Sequence, residues 1–109
     1  MNRDQWIEQI KKDISENRVF VYAKGDKGMA MCGFSHRVMD IFDRLGVPYE
    51  VRSIFSDPEI KPALVQVTQW PTTPQVFIGG KFVGGCDIVT EMYQTGELQK
   101  MLQETAPQP

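Results

Sequence analysis

Cysteine is scarce in this chain: only Cys32 and Cys86 occur among 109 residues. Two thiols cannot build the dense disulfide framework of a small secreted scaffold. Nor can they close a four-thiolate metal site within one chain. Histidine is scarcer still, with His36 alone. No stretch approaches the roughly 20 apolar residues of a membrane span. Met1 to Lys12 is studded with charge and lacks the apolar centre of a signal peptide. Basic charge is not in excess: 12 Lys and Arg against 14 Asp and Glu give a net charge of −2. That balance lacks the footprint expected for nucleic acid, and no Lys/Arg cluster suggests a membrane surface. These absences predict a single cytoplasmic domain over 1–109, with no nucleic-acid or membrane partner and with its thiols mostly reduced. The remaining composition, 41% hydrophobic and 24% charged, is that of a globular domain able to bury roughly two-thirds of its unfolded surface.

Trp6, Ile7, Ile10 and Ile14 recur at helical spacing behind an Asn2–Gln5 capping box, which predicts a helix over 3–16. Val19 to Ala23 reads as a buried strand. Lys24 to Met31, with two glycines and no period, reads as a loop. Phe34, Val38, Ile41, Phe42 and Leu45 mark one face of a second helix, with Phe34 expected in the core, and Gly46 and Pro48 end it. Tyr49 to Phe55 reads as a strand. Ser56-Asp57-Pro58-Glu59 has the chemistry to open a third helix, which Pro62 should shorten or kink. Gln75–Ile78 and Lys81–Val83 flank Gly79-Gly80 as a hairpin. Asp87–Tyr93 and Glu97–Leu102 are helical, and Thr105 to Pro109 reads as a frayed tail. A right-handed crossover makes the first two strands parallel, and the hairpin adds antiparallel strands. The fold class is α/β, a mixed four-stranded sheet with helices on both faces.

Cys32 stands where a loop meets the second helix. Unpaired backbone N–H groups there favour negative charge, so the thiol pKa should be depressed. The alternative is a cysteine that merely caps the helix. A dithiol motif would put a second Cys at position 35. Ser35 is there instead, and it cannot resolve a mixed disulfide. Thr73-Pro74, after a turn and before a strand, admits either an ordinary trans proline or a cis bond. A cis bond would present backbone groups to an extended peptide-like ligand. Gly84-Gly85-Cys86-Asp87 precedes a helix and can accept an anion, with Asp87 as a cap and an ammonium partner. Lys24 and Lys61 supply cations, and open α/β sheets bind ligands at the strand ends near Lys24. Met29 and Met31 read as loop filling, His36 as solvent-facing, and Trp6 as a packing anchor. A thiolate, two cations, a backbone clamp and an amino-acid-like nest together fit γ-glutamyl-cysteinyl-glycine.

From about Arg18 to Leu102 the sequence resembles the single-domain, bacterial-type monothiol glutaredoxins of the Cys-Gly-Phe-Ser class. The resemblance is carried by Lys24-Gly25, Cys32-Gly33-Phe34-Ser35, Trp70-Pro71-Thr72-x-Pro74-Gln75, Gly84-Gly85-Cys86-Asp87-Ile88 and Glu91-Met92-Tyr93-x-x-Gly96-Glu97-Leu98. It implies a thioredoxin-like fold and glutathione as ligand. It also implies a [2Fe–2S] cluster shared by a homodimer, transfer of that cluster to acceptor proteins, and pairing with a BolA-type protein. On this resemblance Cys32 is the metal ligand and reactive thiol. Thr73 and a cis Pro74 hold the cysteinyl backbone. Gly85, Cys86 and Asp87 hold the γ-glutamyl end, Lys24 and Lys61 face the glycine carboxylate, and Trp70-Pro71 lies on the surface near the cluster. A [2Fe–2S] centre generally needs four thiolates. One Cys32 per chain and two glutathiones meet that count, leaving Cys86 out.

The chain departs from the family pattern at four positions. Ala30 stands where members usually have Pro, Lys61 where they commonly have Arg, Val65 where they usually have Lys, and Thr73 where an apolar residue is more usual. Loss of the bidentate Arg clamp and of one cation implies weaker glutathione binding. Two other functions are open to the same residues. One is glutathione-dependent reduction of protein mixed disulfides with Cys32 as nucleophile, with turnover secondary to the carrier role. The other is cluster-independent binding of a BolA-type partner.

Overall fold

The computed structural model describes residues 1–105. In chain order the elements are α1 (Arg3–Glu16), β1 (Val19–Ala23), β2 (Gly25–Asp26), β3 (Met29–Ala30), α2 (Gly33–Leu45), β4 (Glu50–Ser53), a 3₁₀ turn (Ile54–Ser56), α3 (Ile60–Thr68), β5 (Gln75–Ile78), β6 (Lys81–Gly84), α4 (Cys86–Thr95) and α5 (Glu97–Glu104). The main sheet runs β4-β1-β5-β6. β1 is parallel to β4 and antiparallel to β5, and β6 is antiparallel to β5. This is the mixed four-stranded sheet expected from the sequence.

All five residues of β1 are buried, because helices cover both faces of the sheet. The period of two divides them. Val19, Val21 and Ala23 pack with Val38, Ile41 and Phe42 of α2, Val89 of α4 and Leu98 of α5. Phe20 and Tyr22 pack with Trp6 and Ile10 of α1 and with Ile60 and Leu64 of α3. The predicted capping box is present: Gln5 N–H donates to Asn2 Oδ1 at 2.8 Å, and Asn2 N–H donates to Gln5 Oε1 at 2.9 Å.

Asp13 is a buried carboxylate on the inner face of α1. Arg52 of β4 donates to both its oxygens, at 2.8 and 3.0 Å, and the buried Tyr22 hydroxyl donates to it at 2.7 Å. Burial, together with the Asp13 carboxylate, pushes the Tyr22 phenol well above its ordinary pKa. Asp13→Ala leaves Tyr22 Oη without its acceptor and releases Arg52. We expect a loss of about 2 kcal/mol in urea unfolding, with unchanged reactivity at Cys32.

Five local expectations are corrected. The 24–31 segment is a two-stranded antiparallel ribbon, β2 with β3, too short for a period to show. The second parallel strand stops at Ser53, whose Oγ accepts from Phe55 N–H at 3.1 Å and starts the 3₁₀ turn. The third helix starts only at Ile60, because Asp57 Oδ1 accepts from Glu59 N–H in a local turn instead of capping a helix. Pro62 therefore falls in the first turn, where its missing N–H has no intrahelical partner to lose. Phe34 is not core. It sits one turn beyond the packed layer and is 61% exposed. Met29 and Met31 do not fill the loop: the ribbon turns both outward, each 72% exposed. As expected, Trp6 is buried and His36 is exposed. Thr105 is bonded to the end of α5, its Oγ1 donating to Met101 O at 2.7 Å. The rest of the expected tail lies outside the described residues.

Candidate thiol and ligand-binding site

The end of β1, the start of α2, the 70–74 loop and the β6–α4 junction meet at one edge of the sheet. Cys32 is the N-cap of α2, with extended backbone. Its half-buried Sγ accepts from Ser35 N–H at 3.4 Å and lies 3.3 Å from Ser35 Oγ. Ser35 is itself fully buried, and its Oγ accepts from Lys24 N–H at 3.0 Å. With that lone pair occupied, the hydroxyl proton is free to point at a thiolate.

Burial alone would push the Cys32 thiol pKa up. The hydrogen bonds from the Ser35 side chain and from the Ser35 and Phe34 backbone, with the charge of Lys24, outweigh it and bring the thiol below its ordinary value. Ser35→Ala removes the largest of the thiolate-stabilising contacts. The pH profile of Cys32 alkylation should move to higher pH, and alkylation at neutral pH should slow several-fold. An unmoved profile would show that the hydroxyl does not act on the thiolate.

A groove of about 380 Å³ lies beside the thiol, within the roughly 300–1,000 Å³ of small-molecule sites. Lys24, Lys61, Thr73, Pro74, Gly85, Cys86 and Asp87 all line it. The fold thus brings together every residue that the sequence assigned to a ligand. Cys32 is not part of the wall. It stands next to it, and its neighbours Lys24 and Phe34 are part of the lining. Phe34, Trp70, Thr72 and Ile88 complete the groove.

The Thr73–Pro74 bond is cis. Thr73 lies outside β5, so its backbone is not part of the sheet ladder. Gly85 passes so close to Pro74 that a Cβ there would lie 3.2 Å from Pro74 O, which accounts for a glycine at this position. Gly85 also supplies the N-cap of α4. Asp87 does not cap the helix as expected. It falls in the first turn, exposed at the groove, with Cys86 before it. Cys86 is buried, with Sγ 3.8 Å from Thr90 Oγ1. Among the described residues no three His, Cys, Asp or Glu side chains converge to hold a metal.

One positioning residue escaped sequence reasoning. Gln75 is fully buried at the start of β5, and its Nε2 donates to Trp70 O at 2.9 Å and to Thr72 O at 3.0 Å. It ties down the loop that forms one wall of the groove. The available signal was an amide heading an otherwise apolar strand.

The glutaredoxin family pattern matches residues 19–83, more than half of the chain. The chain is a glutaredoxin. A monothiol glutaredoxin of Synechocystis is 45% identical over 95 residues, covering 87% of this chain and 89% of that protein. A probable monothiol glutaredoxin 2 of Rickettsia felis is 44% identical over 102 residues, covering 94% and 98%. The crystal structure of a buckwheat glutaredoxin–glutathione complex superposes with a TM-score of 0.84 at 34% identity, over 94% of this chain and 92% of that one. This glutaredoxin has the thioredoxin-like architecture and, with Ser35 in place of a second motif cysteine, belongs with the monothiol members. Among its described residues no helix is long and apolar enough to cross a membrane.

Proposed function

We propose that this glutaredoxin binds glutathione in the groove and carries a [2Fe–2S] cluster as cargo between two copies of the chain, for transfer to acceptor proteins. The observation that carries it is the pairing of one partly exposed, thiolate-favouring Cys32 with an adjacent groove lined by two lysines, the cis Thr73–Pro74 segment and Asp87. The groove has Lys24 and Lys61 for a carboxylate. It has the Thr73–Pro74 segment for a peptide backbone, and the α4 N-terminus with Asp87 for an α-amino-acid end. The buckwheat complex, similar in fold, has glutathione as its partner molecule.

The donor set fits a shared cluster and not a private one. One chain offers a single accessible thiolate, and no second ligand group converges on it among the described residues. Two chains and two glutathione thiolates reach the four that such a cluster generally needs. Cys86 is buried among α4 neighbours and is left out of the ligand set. Because half of the ligands are non-covalently held, exchange of glutathione gives a route for release to an acceptor. A BolA-type protein is the further partner proposed for the same thiol face.

The test is reconstitution without oxygen, with iron, sulfide and glutathione, followed by visible absorption. A brown protein that stays colourless when glutathione is omitted is the expected result. A colourless protein under the full conditions would overturn the proposal.

The lowered thiol pKa favours a second activity. The Cys32 thiolate attacks a protein–glutathione disulfide, forming Cys32–glutathione and releasing the protein thiolate. A second glutathione thiolate then releases oxidised glutathione and restores Cys32. Ser35, which cannot resolve the intermediate, makes the external thiol necessary.

A further inference from the structure

The β2–β3 ribbon has no part in the proposed function, yet it displays two sulfur atoms. Met29 and Met31 are each 72% exposed, whereas Met39 and Met92 are buried in the core. Two thioether side chains held side by side in solvent forgo the burial that methionine usually gains. The backbone fixes where they point. Ala30 between them is half-buried and packs against the core, so the residues on either side of it turn outward together. Register adds a third group. The ribbon pairs Asp26 with Met29, and directly opposed residues of an antiparallel pair share one face. Met31 N–H, donating to Lys24 O at 2.8 Å, secures the far end.

These three side chains line one groove of about 540 Å³, which shares no residue with the groove beside Cys32. The exposed ring of Phe55 is a further part of its wall, and no His or Cys lines it. Asp26 makes no ion pair among the described residues. The neighbouring Lys27 is committed to Tyr49, its Nζ donating to the carbonyl at 2.6 Å and lying 4.3 Å from the ring centroid. The donor set is therefore two neutral, soft sulfurs, one carboxylate and an aromatic face. Mg²⁺ and Ca²⁺ take oxygen ligands, and Zn²⁺ is bound by Cys, His and carboxylates. Thioether sulfur selects Cu(I). One carboxylate balances its single charge, and an aromatic face attracts a cation. The three rotatable bonds of each methionine let both sulfurs swing onto one ion.

We propose that Asp26, Met29 and Met31 form a binding site for a soft monovalent cation, Cu(I), with the two thioether sulfurs as ligands and the carboxylate as counter-charge. The site is independent of glutathione and of Cys32, which lines neither groove.

Ag(I), equal in charge, soft and fixed in oxidation state, is the first probe. Thiolates bind it more tightly than thioethers, so the chain carries Cys32→Ser and Cys86→Ala, with the methyl groups of its six methionines isotope-labelled for NMR. One equivalent of Ag(I) should move two methyl signals, those that vanish in Met29→Leu and Met31→Leu, and leave those of Met39 and Met92 in place. Either leucine substitution, close in volume and on an exposed surface, should weaken binding about tenfold or more. Asp26→Asn should weaken it several-fold at low salt and less at high salt. Zn²⁺ should move neither signal. The second probe needs no change at the thiols: wild-type protein should take one more equivalent of Cu(I) from a chromophoric chelator than Met29→Leu/Met31→Leu does. Methionine signals that stay in place, that move equally with Zn²⁺, or that move with unchanged affinity in either leucine variant would overturn the site. Equal Cu(I) uptake by the wild type and the double variant would overturn it as well.

Discussion

Cys32→Ser should yield a folded, colourless monomer from the reconstitution that gives a brown wild-type protein. The fold should survive because Cys32 is the N-cap of α2, and serine is among the best residues at that position. Its hydroxyl can accept from Ser35 N–H as the sulfur does. The melting temperature should therefore stay close to wild type, so that lost colour reports lost ligation. No substitute thiol is at hand: Cys86 is buried, and its sulfur is 3.8 Å from Thr90 Oγ1. No cluster of three His, Cys, Asp or Glu side chains exists among the described residues to take over. Visible absorbance and solution mass decide the matter. A brown Cys32→Ser dimer would remove Cys32 from the ligand set, and with it the proposed function.

Gly25→Ala should be the most damaging single-carbon change near the site. Gly25 has φ +106°, a conformation that side chains rarely adopt, and an added Cβ would lie 2.3 Å from Met29 O and 2.9 Å from Met31 N. Both obstacles are backbone, so no rotamer change relieves them. The β2–β3 ribbon would have to open. Its two outer ties would then strain: Met31 N–H to Lys24 O at 2.8 Å, and Lys27 Nζ to Tyr49 O at 2.6 Å. Through Lys24, whose N–H holds Ser35 Oγ, the disturbance reaches the thiol. We expect a loss of about 3 kcal/mol or more in urea unfolding, with the Cys32 alkylation profile moved to higher pH. Gly28→Ala provides the comparison. Its φ is +78°, but nothing lies within 4 Å of the new carbon, so only the backbone penalty of about 1–2 kcal/mol should appear. Equal effects from the two substitutions would contradict the close packing of the ribbon.

Much of this was legible in the sequence, because the strongest signals are periodic. β1 is a short apolar run with no polar face, and that is what burial on both sides of a sheet requires. The Asn2–Gln5 box and the Gly46 terminus mark helix ends through backbone chemistry that one or two residues decide. The seven groove residues assigned from the sequence come from four separate stretches, 24, 61, 73–74 and 85–87, each at or next to an element boundary, and the crossover rule and hairpin bring those boundaries to one sheet edge.

What failed was mostly about where elements stop. Helical spacing placed Phe34 on the apolar face of α2 but carries no information on where the packed layer ends. Two-residue strands such as β2 and β3 cannot display alternation. Asp57 could cap a helix or close a local turn with the same oxygen, and the choice depends on how the 3₁₀ turn delivers the chain. Asp13 and Arg52 are 39 residues apart, and no local pattern joins them.

The most direct measurement is the native mass of the protein reconstituted without oxygen in the presence of glutathione. The predicted mass is that of two chains, two glutathiones and one [2Fe–2S] cluster. A cluster held by one chain, or by two chains with no glutathione, would contradict the account.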